Sequence, residues 1–303
     1  MEHLIEVTLA GLTLPCALRY AEAAAFPPPD PAAPRAEIDP VRLTEEDWEY
    51  YIRQGSEASP RSEFSLLTAS FSDALMDYDR LVIHGAALRW RDRAWLICAP
   101  SGTGKSTQTS WLRRLRPGEF GVISGDRPVL EFRQPDPVAA HSVRHVPSPV
   151  GADAHIGPSA SPVQSLPLEG KVSPKATDEV VLRRASNVTT PVGRPDPRPP
   201  SPAILVHPSP WNGKEDWHDA EAAPLAGIIL LRRGEENALE TLNPQEASAP
   251  VYAQVIQTAV HPDRLRRSAE LVTALVQAAP VWRLTTHQPP ASTELLLDEI
   301  FKP

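Results

Sequence analysis

The stretch AWLICAPSGTGKSTQTSWLRRL, residues 94–115, constrains the fold more than any other part of the chain. Residues 94–98 are apolar and short enough for a buried strand, and apolar residues recur at helical spacing in 107–115. A glycine-containing loop lies between them. A strand, loop and helix in this order point backbone N–H groups and the positive end of the helix dipole at one spot. The stretch therefore predicts a binding site for an anion.

The loop is similar to the phosphate-loop pattern G-x-x-x-x-G-K-[ST], with Ala99 in the place of the first glycine. A methyl group is tolerated there when φ is negative. In this pattern Lys105 meets the β- and γ-phosphates and Ser106 offers a hydroxyl to Mg²⁺. The same letters suit a turn that only caps a helix, but the flanking strand and amphipathic helix favour a nucleotide site. The predicted nucleotide-binding residues are Pro100, Ser101, Gly102, Thr103, Gly104, Lys105, Ser106 and Thr107.

Composition limits the partners. The chain has 303 residues, of which 41% are hydrophobic and 22% charged, and its formal net charge is -8. Its short basic clusters are typical of solvated faces, so we expect neither nucleic acid nor membrane as a partner. We expect a cytoplasmic protein, because no apolar run is long enough to span a membrane and the N-terminus lacks the basic start of a signal peptide. Monomer and oligomer are both compatible with these features.

Apolar patterning predicts an α/β fold in two regions. Residues 1–79 are expected to form a hairpin around Ala10-Gly11 and two helices, the first capped by Thr44, packed on the core. Residues 80–303 are expected to form the main domain, in which two antiparallel strands feed the loop. GVISGDRPVLEF predicts a strand pair or a strand with a sharp turn. Cys16 and Cys98 lie in apolar segments, which is typical of reduced core thiols.

The segment at about 134–202 differs from the rest of the chain. It is rich in Pro, Ser and Ala and has no aromatic residue. Such a composition buries too little apolar surface to offset the entropy of ordering the chain. We interpret it as a Pro-rich, low-complexity surface insertion, although a linker between two domains has the same composition. EVVLRR, 179–184, predicts one strand inside it.

Five motifs follow one another along the chain: IHGAAL, APSGTGKST, ISGDRPVL, SPWNGKEDW and APLAGIILLRRGEENALETL. In this order they resemble the bacterial HPr-kinase-like proteins, relatives of phosphoenolpyruvate carboxykinase, over about residues 80–132 and 203–285. The resemblance implies a mixed-sheet P-loop nucleotide-binding fold that uses ATP with Mg²⁺. It also implies phosphoryl transfer to a hydroxyl, often a serine of a peptide or protein.

The resemblance also implies roles for single residues. Lys105 and Ser106 match the residues that handle phosphates and metal. Asp126 matches the carboxylate beside the γ-phosphate, and His84 matches a histidine near the phosphate site, although a core histidine fits the same position. HPr kinase has two adjacent acids where this chain has Gly125-Asp126. A single carboxylate must therefore serve as base or as metal ligand.

Two further observations bear on the chemistry. Phosphoryl transfer needs a metal clamp and a group that accepts the hydroxyl proton, and Asp126 ends an apolar strand expected beside the strand of the loop. An aspartate that closes a turn is the alternative. In SPWNGKE, Trp211 is predicted to stack on a base or line a pocket, and Lys214 to meet a phosphate or an acidic substrate group. With Glu215 they form the predicted substrate set, although a tight turn with an exposed ion pair has the same sequence.

These features predict an ATP- and Mg²⁺-dependent, HPr-kinase-like phosphotransferase that acts on a hydroxyl, most often a peptide or protein serine. A small-molecule kinase for a sugar or nucleoside is the second interpretation. A binding module that senses ATP without turnover is the third, and the lone acid at Asp126 favours it. No LSGGQ or NKxD sequence is present, which argues against transporter ATPases and guanine-nucleotide switches of the usual kinds.

Overall fold

The strand before the loop lies inside a mixed sheet. The computed structural model describes residues 2–23, 25–133, 203–258 and 262–302. Within these residues nine strands form one sheet with parallel and antiparallel neighbours, and helices pack on it. The predicted α/β class with a mixed sheet is confirmed.

The strands are β1 His3–Leu9, β2 Leu12–Leu18, β3 Arg80–Val82, β4 Gly85–Trp90, β5 Arg93–Cys98, β6 Phe120–Ser124, β7 Val129–Arg133, β8 Ala203–His207, β9 Ala223–Arg233, β10 Ala238–Leu242 and β11 Val281–Thr286. The helices are α1 Glu45–Arg53, α2 Pro60–Met76, α3 Lys105–Leu115, α4 Pro244–Tyr252, α5 Pro262–Ala278 and α6 Pro289–Glu299.

The long strand β9 connects two branches of the sheet. On one side it runs parallel to β5, which continues through antiparallel β4 to β6. On the other side its first residues pair with β8, which leads to β7 and β3, and its later residues pair in parallel with β11. This pairing brings four strand termini beside the loop that follows β5: the ends of β5, β6 and β9 and the start of β4.

Three apolar cores hold these layers. One lies between the sheet and helices α4 and α5, and a second lies on the other face, against α3 and α6. The third joins the β1–β2 hairpin to α2 and includes Trp211. Cys16 and Cys98 are both free and buried, as predicted, and burial raises the pKa of each thiol to about 12.

Local signals in the N-terminal region are confirmed. The hairpin turns at Ala10 and Gly11, both of which have positive φ. Thr44 caps α1 in a reciprocal arrangement: its hydroxyl accepts from the backbone of Asp47, whose carboxylate accepts from the backbone N–H of Thr44. The reversal between β4 and β5 is a tight turn at Arg91 and Asp92.

Other expectations are changed or fall outside the described residues. GVISGDRPVLEF forms two strands, β6 and β7, that pair with different partners and not with each other. The strand β10 was not predicted. The insertion at 134–202 and the strand predicted from EVVLRR lie outside the described residues. In the part of the chain that the structure describes, no helix has the length and apolar character needed to cross a bilayer.

Candidate functional site

The loop between β5 and α3 has the backbone conformation that its glycines predict. Gly102 and Gly104 adopt φ of 75° and 121°, and open space surrounds the position of a Cβ at each of them. Ala99 has no positive φ, so the methyl group at the first position is accommodated, as expected. Gly104 precedes α3 with no side chain capping the helix. The first-turn N–H groups of α3 are thus left for a ligand.

Lys105 is a buried cation at the start of α3. Its side chain folds back so that Nζ lies 3.0 Å from the carbonyl oxygen of Ala99 and 3.1 Å from Nε2 of His84. Burial lowers the pKa of Lys105, and the negative charge of Asp126 partly offsets this effect. Neither hydrogen-bond partner is an anion. A buried ammonium in this state is stabilised by phosphate oxygens.

His84 links Lys105 to Asp126. Its Nε2 lies 3.4 Å from Oδ1 of Asp126, and its backbone N–H donates to the carbonyl of Gln254 at 2.7 Å. One ring nitrogen cannot accept a hydrogen bond from Lys105 and donate a hydrogen bond to Asp126 at the same time. The hydrogen-bonding state of His84 therefore depends on where the Lys105 ammonium lies.

Asp126 is held in its ionised form. Burial alone would raise its pKa, but hydrogen bonding to His84 and the charges of Arg127, His84 and Lys105 outweigh burial and lower it. Oδ1 faces His84, while Oδ2 accepts from Nε of Arg127 at 3.1 Å. The carboxylate is thus available at neutral pH as a proton acceptor or a metal ligand.

The SPWNGKE turn packs directly against this carboxylate. A Cβ on Gly125 would lie 2.4 Å from the backbone oxygen of Asn212, and a Cβ on Gly213 would lie 3.2 Å from Cβ of Asp126. Gly213 has a φ of 76°. Any side chain at position 125 would displace the turn. The close approach of Asn212 is a packing reason for glycine at position 125.

The three predicted substrate residues differ in position. Trp211 is 4% exposed, and its indole N–H donates to the carbonyl of Phe64. Its ring lies 5.9 Å from each of three phenylalanine rings, so Trp211 anchors the turn in the third core. Lys214 and Glu215 are exposed on the turn, and Oε2 of Glu215 lies 3.9 Å from the Cβ position of Gly213. Contact of any of the three with substrate stays a prediction.

A cleft of about 300 Å³ adjoins the loop on the side of α6. Thr103 and Thr107 form its loop side and Arg233 and Thr286 its far side. Arg233 also donates to the carbonyl of Gly102 at 2.7 Å, which joins the end of β9 to the loop. The size and position of this cleft suit the part of a nucleotide that lies beyond its phosphates.

A second cleft, which we call the Arg127 cleft, opens on the other side of His84. Its volume is about 410 Å³, and its lining includes Tyr51, Thr68, His84, Arg127 and Gln254. Sequence reasoning did not identify Arg127, although it directly follows Asp126. Gln254 carries no sequence signal, since its backbone makes the contact with His84.

Comparisons with known proteins add no assignment. A scan against models of protein families finds no match for this chain, and a search of curated proteins finds none. The interpretation of the site therefore depends on its geometry and on the motifs described above.

Proposed function

We propose that the protein is an ATP- and Mg²⁺-dependent kinase with a P-loop fold of the HPr-kinase and phosphoenolpyruvate-carboxykinase type. It transfers the γ-phosphoryl group to a hydroxyl, that of a serine in a peptide or protein. The observation that carries this proposal is that Lys105, His84 and Asp126 lie in contact at the phosphate-loop end of the sheet. Nε2 of His84 lies 3.1 Å from Nζ of Lys105 and 3.4 Å from Oδ1 of Asp126.

The position of the nucleotide in the site is proposed from the positive charge and the hydrogen-bond donors around the loop. Lys105 and the free N–H groups of α3 bind the phosphates, and the cleft beside Thr107 receives the nucleoside. Ser106 would hold Mg²⁺, and the Asp126 carboxylate is kept for the acceptor proton. When bound, ATP would supply the phosphoryl group and Mg²⁺ would neutralise the charge that develops during transfer.

Asp126 acts on the acceptor. It takes the hydroxyl proton as the acceptor oxygen bonds to phosphorus and ADP departs. Arg127 fixes one carboxylate oxygen, which leaves the other for the proton. Once Lys105 turns to phosphate, Nε2 of His84 is free to donate to Oδ1 of Asp126 and to orient it.

The glycine at position 125 is no evidence for a module that only senses ATP. The close contact with the backbone of Asn212 explains it as a packing requirement, so loss of catalysis is not needed to account for the missing acid.

Transfer of labelled phosphate tests the proposal. The protein is incubated with γ-labelled ATP, Mg²⁺ and separate panels of serine peptides, sugars and nucleosides, while release of phosphate to water is followed in parallel. Label on a peptide serine is the expected result. Label on a sugar or nucleoside instead would assign a small-molecule kinase, and ATP binding with no labelled acceptor would assign the sensing module.

A further inference from the structure

The Arg127 cleft is lined by two residues that contact Asp126, although Asp126 itself does not line it. Its inner wall is formed by His84 and Arg127, the two residues that contact the two oxygens of the Asp126 carboxylate. Helices α1 and α2 and the segment 253–256 form the other walls. The cleft is therefore separate from the one beside Thr107, and the Asp126 carboxylate stands between Lys105 and Arg127.

The guanidinium of Arg127 is fixed on two of its three nitrogens. Nε donates to Asp126, and Nη1 donates to the carbonyl of Ser65 at 3.1 Å and to the hydroxyl of Thr68 at 2.6 Å. Nη2 has no hydrogen-bond partner among the described residues. Because the other nitrogens are anchored, this free donor is oriented before any ligand arrives, and a planar cation of this kind binds carboxylates well.

These bonds tie Arg127 to helix α2 and not to the loop before α3. Its anchors, Ser65 and Thr68, belong to α2, whereas the phosphate loop belongs to β5 and α3. Lys105 approaches Asp126 from the other side, through His84. An anion that met Nη2 of Arg127 would thus belong to the molecule in the Arg127 cleft and not to the nucleotide.

The rim of the cleft suits a peptide. The Tyr51 ring lines it, and the Tyr50 ring, 5.3 Å away between centroids, continues along α1 with an exposed fraction of 53%. Exposed tyrosines offer flat, amphipathic contact surface at low entropic cost. A volume of about 410 Å³ is also larger than a single hydroxyl-bearing side chain needs.

We propose that the Arg127 cleft binds the acceptor peptide and that Nη2 of Arg127 binds a carboxylate beside the phosphorylated hydroxyl. This inference rests on the proposed function. It names an acceptor class that the transfer reaction alone does not specify: a serine peptide with a carboxylate on a neighbouring residue or at its own terminus.

The test compares matched peptide mixtures. One pair has serine flanked by Asp or Glu against Asn or Gln, and the second pair has serine next to a free or an amidated C-terminus. We expect one carboxylate-bearing mixture to be phosphorylated at least about tenfold faster than its neutral match, as a charge-assisted hydrogen bond implies. The pair that shows the preference identifies the source of the carboxylate.

Two variants assign the preference to a residue. Arg127→Gln should reduce the ratio between matched mixtures to within about twofold, even if loss of the Asp126 contact slows both reactions. Arg133→Gln removes the same charge at the far end of β7 and should leave the ratio unchanged. Equal rates with both members of each pair, or a preference that survives Arg127→Gln, would overturn the inference.

Binding measurements separate this inference from the proposed function. With a non-hydrolysable ATP analogue present, calorimetry of the same mixtures should show the same preference and its loss in Arg127→Gln. If that binding preference occurs without any phosphoryl transfer, the Arg127 cleft is supported as a peptide-binding site and the kinase proposal fails. If Arg127→Gln weakens the analogue itself as much as Lys105→Ala does, Arg127 serves the nucleotide and the cleft assignment is wrong.

Discussion

At the scale of single residues, the state of Lys105 is the most informative feature. A lysine that is 9% exposed, bonded to a carbonyl and a histidine, has lost much of its hydration without gaining an anion in contact. Such a cation costs stability in the free protein. A polyanionic ligand that meets Nζ removes this cost, so the same residue both destabilises the empty site and strengthens binding.

Lys105→Ala is therefore expected to weaken binding of an ATP analogue at least about a hundredfold and to abolish turnover. The fold should be retained, because no anion is left unpaired. Calorimetry measures the affinity and urea unfolding the stability. Lys302→Ala, at an exposed position on the end of the chain, is the control and should behave as the wild type. An unchanged affinity in Lys105→Ala would remove the loop from the mechanism.

At the scale of elements, Trp211 decides between two roles for the SPWNGKE turn. Truncation of an indole packed on three phenylalanines is expected to cost about 3–5 kcal/mol of stability. Trp211→Ala should also slow phosphoryl transfer, since the turn packs on Asp126, while affinity for the ATP analogue in the folded fraction stays within about twofold. A large loss of ATP affinity without loss of stability would instead show that Trp211 stacks on the base.

The pairing of β7 with β8 carries a pH dependence. Nε2 of His207 lies 2.8 Å from the carboxylate of Glu131. Burial lowers the pKa of His207, the contact with Glu131 partly offsets this, and the charges of Arg133 and Arg80 add to the lowering. Burial would raise the pKa of Glu131, but the hydrogen bonds from Arg133 and His207 lower it.

The signs of these two shifts agree. The unfolded chain binds a proton at His207 at a higher pH than the folded chain does, so stability is lost as pH falls below about 6.5. Each such proton contributes up to about 1.4 kcal/mol per pH unit. Glu131 adds a further loss at more acidic pH. Urea unfolding from pH 5 to 8 should show this slope, and His207→Gln should reduce it. An identical slope in His207→Gln would contradict the account.

The same elements explain how far the sequence predicts the fold. The strand β5 and the helix α2 have dense, regular apolar patterns, and the sequence predicts both. β10, with the sequence ALETL, is mostly exposed, so its apolar pattern is weak and it was missed. Local patterns also cannot show that β6 and β7 pair with different partners, because that choice is made by β4, β3 and β8.

Site residues show a similar division. The glycine-containing loop before α3 and Asp126 carry local motifs, so the sequence alone predicts them as site residues. The local sequence does not indicate that Trp211 is buried, because the phenylalanines that cover it, at positions 26, 64 and 71, are far away in the chain. The Arg127 cleft depends on helices α1 and α2 meeting a segment near residue 254, a contact that no local pattern records.

At the scale of the whole molecule, the two described residues that flank the 134–202 segment lie side by side. Arg133 at the end of β7 pairs with Ala203 at the start of β8. Replacement of residues 134–202 by Asn-Gly, a favoured two-residue hairpin turn, should therefore keep the described fold. We expect stability within about 1 kcal/mol of the wild type and unchanged affinity for an ATP analogue, measured by urea unfolding and calorimetry. A shortened chain that fails to fold would make the segment structural.

The account as a whole depends on Asp126 as the carboxylate that serves transfer. Asp126→Asn removes the negative charge with little change of shape and leaves the phosphate loop intact. Asp92→Asn, in the exposed turn between β4 and β5, is the matched control.

Transfer from γ-labelled ATP to serine peptides, with hydrolysis to water followed in parallel, is the most direct measurement. The account predicts that Asp126→Asn lowers transfer at least about a hundredfold, the size expected for a lost general base, while the ATP analogue still binds and Asp92→Asn transfers normally. Equal transfer in wild type and Asp126→Asn would contradict it. So would ATP binding with no acceptor labelled and the same residual hydrolysis in both proteins.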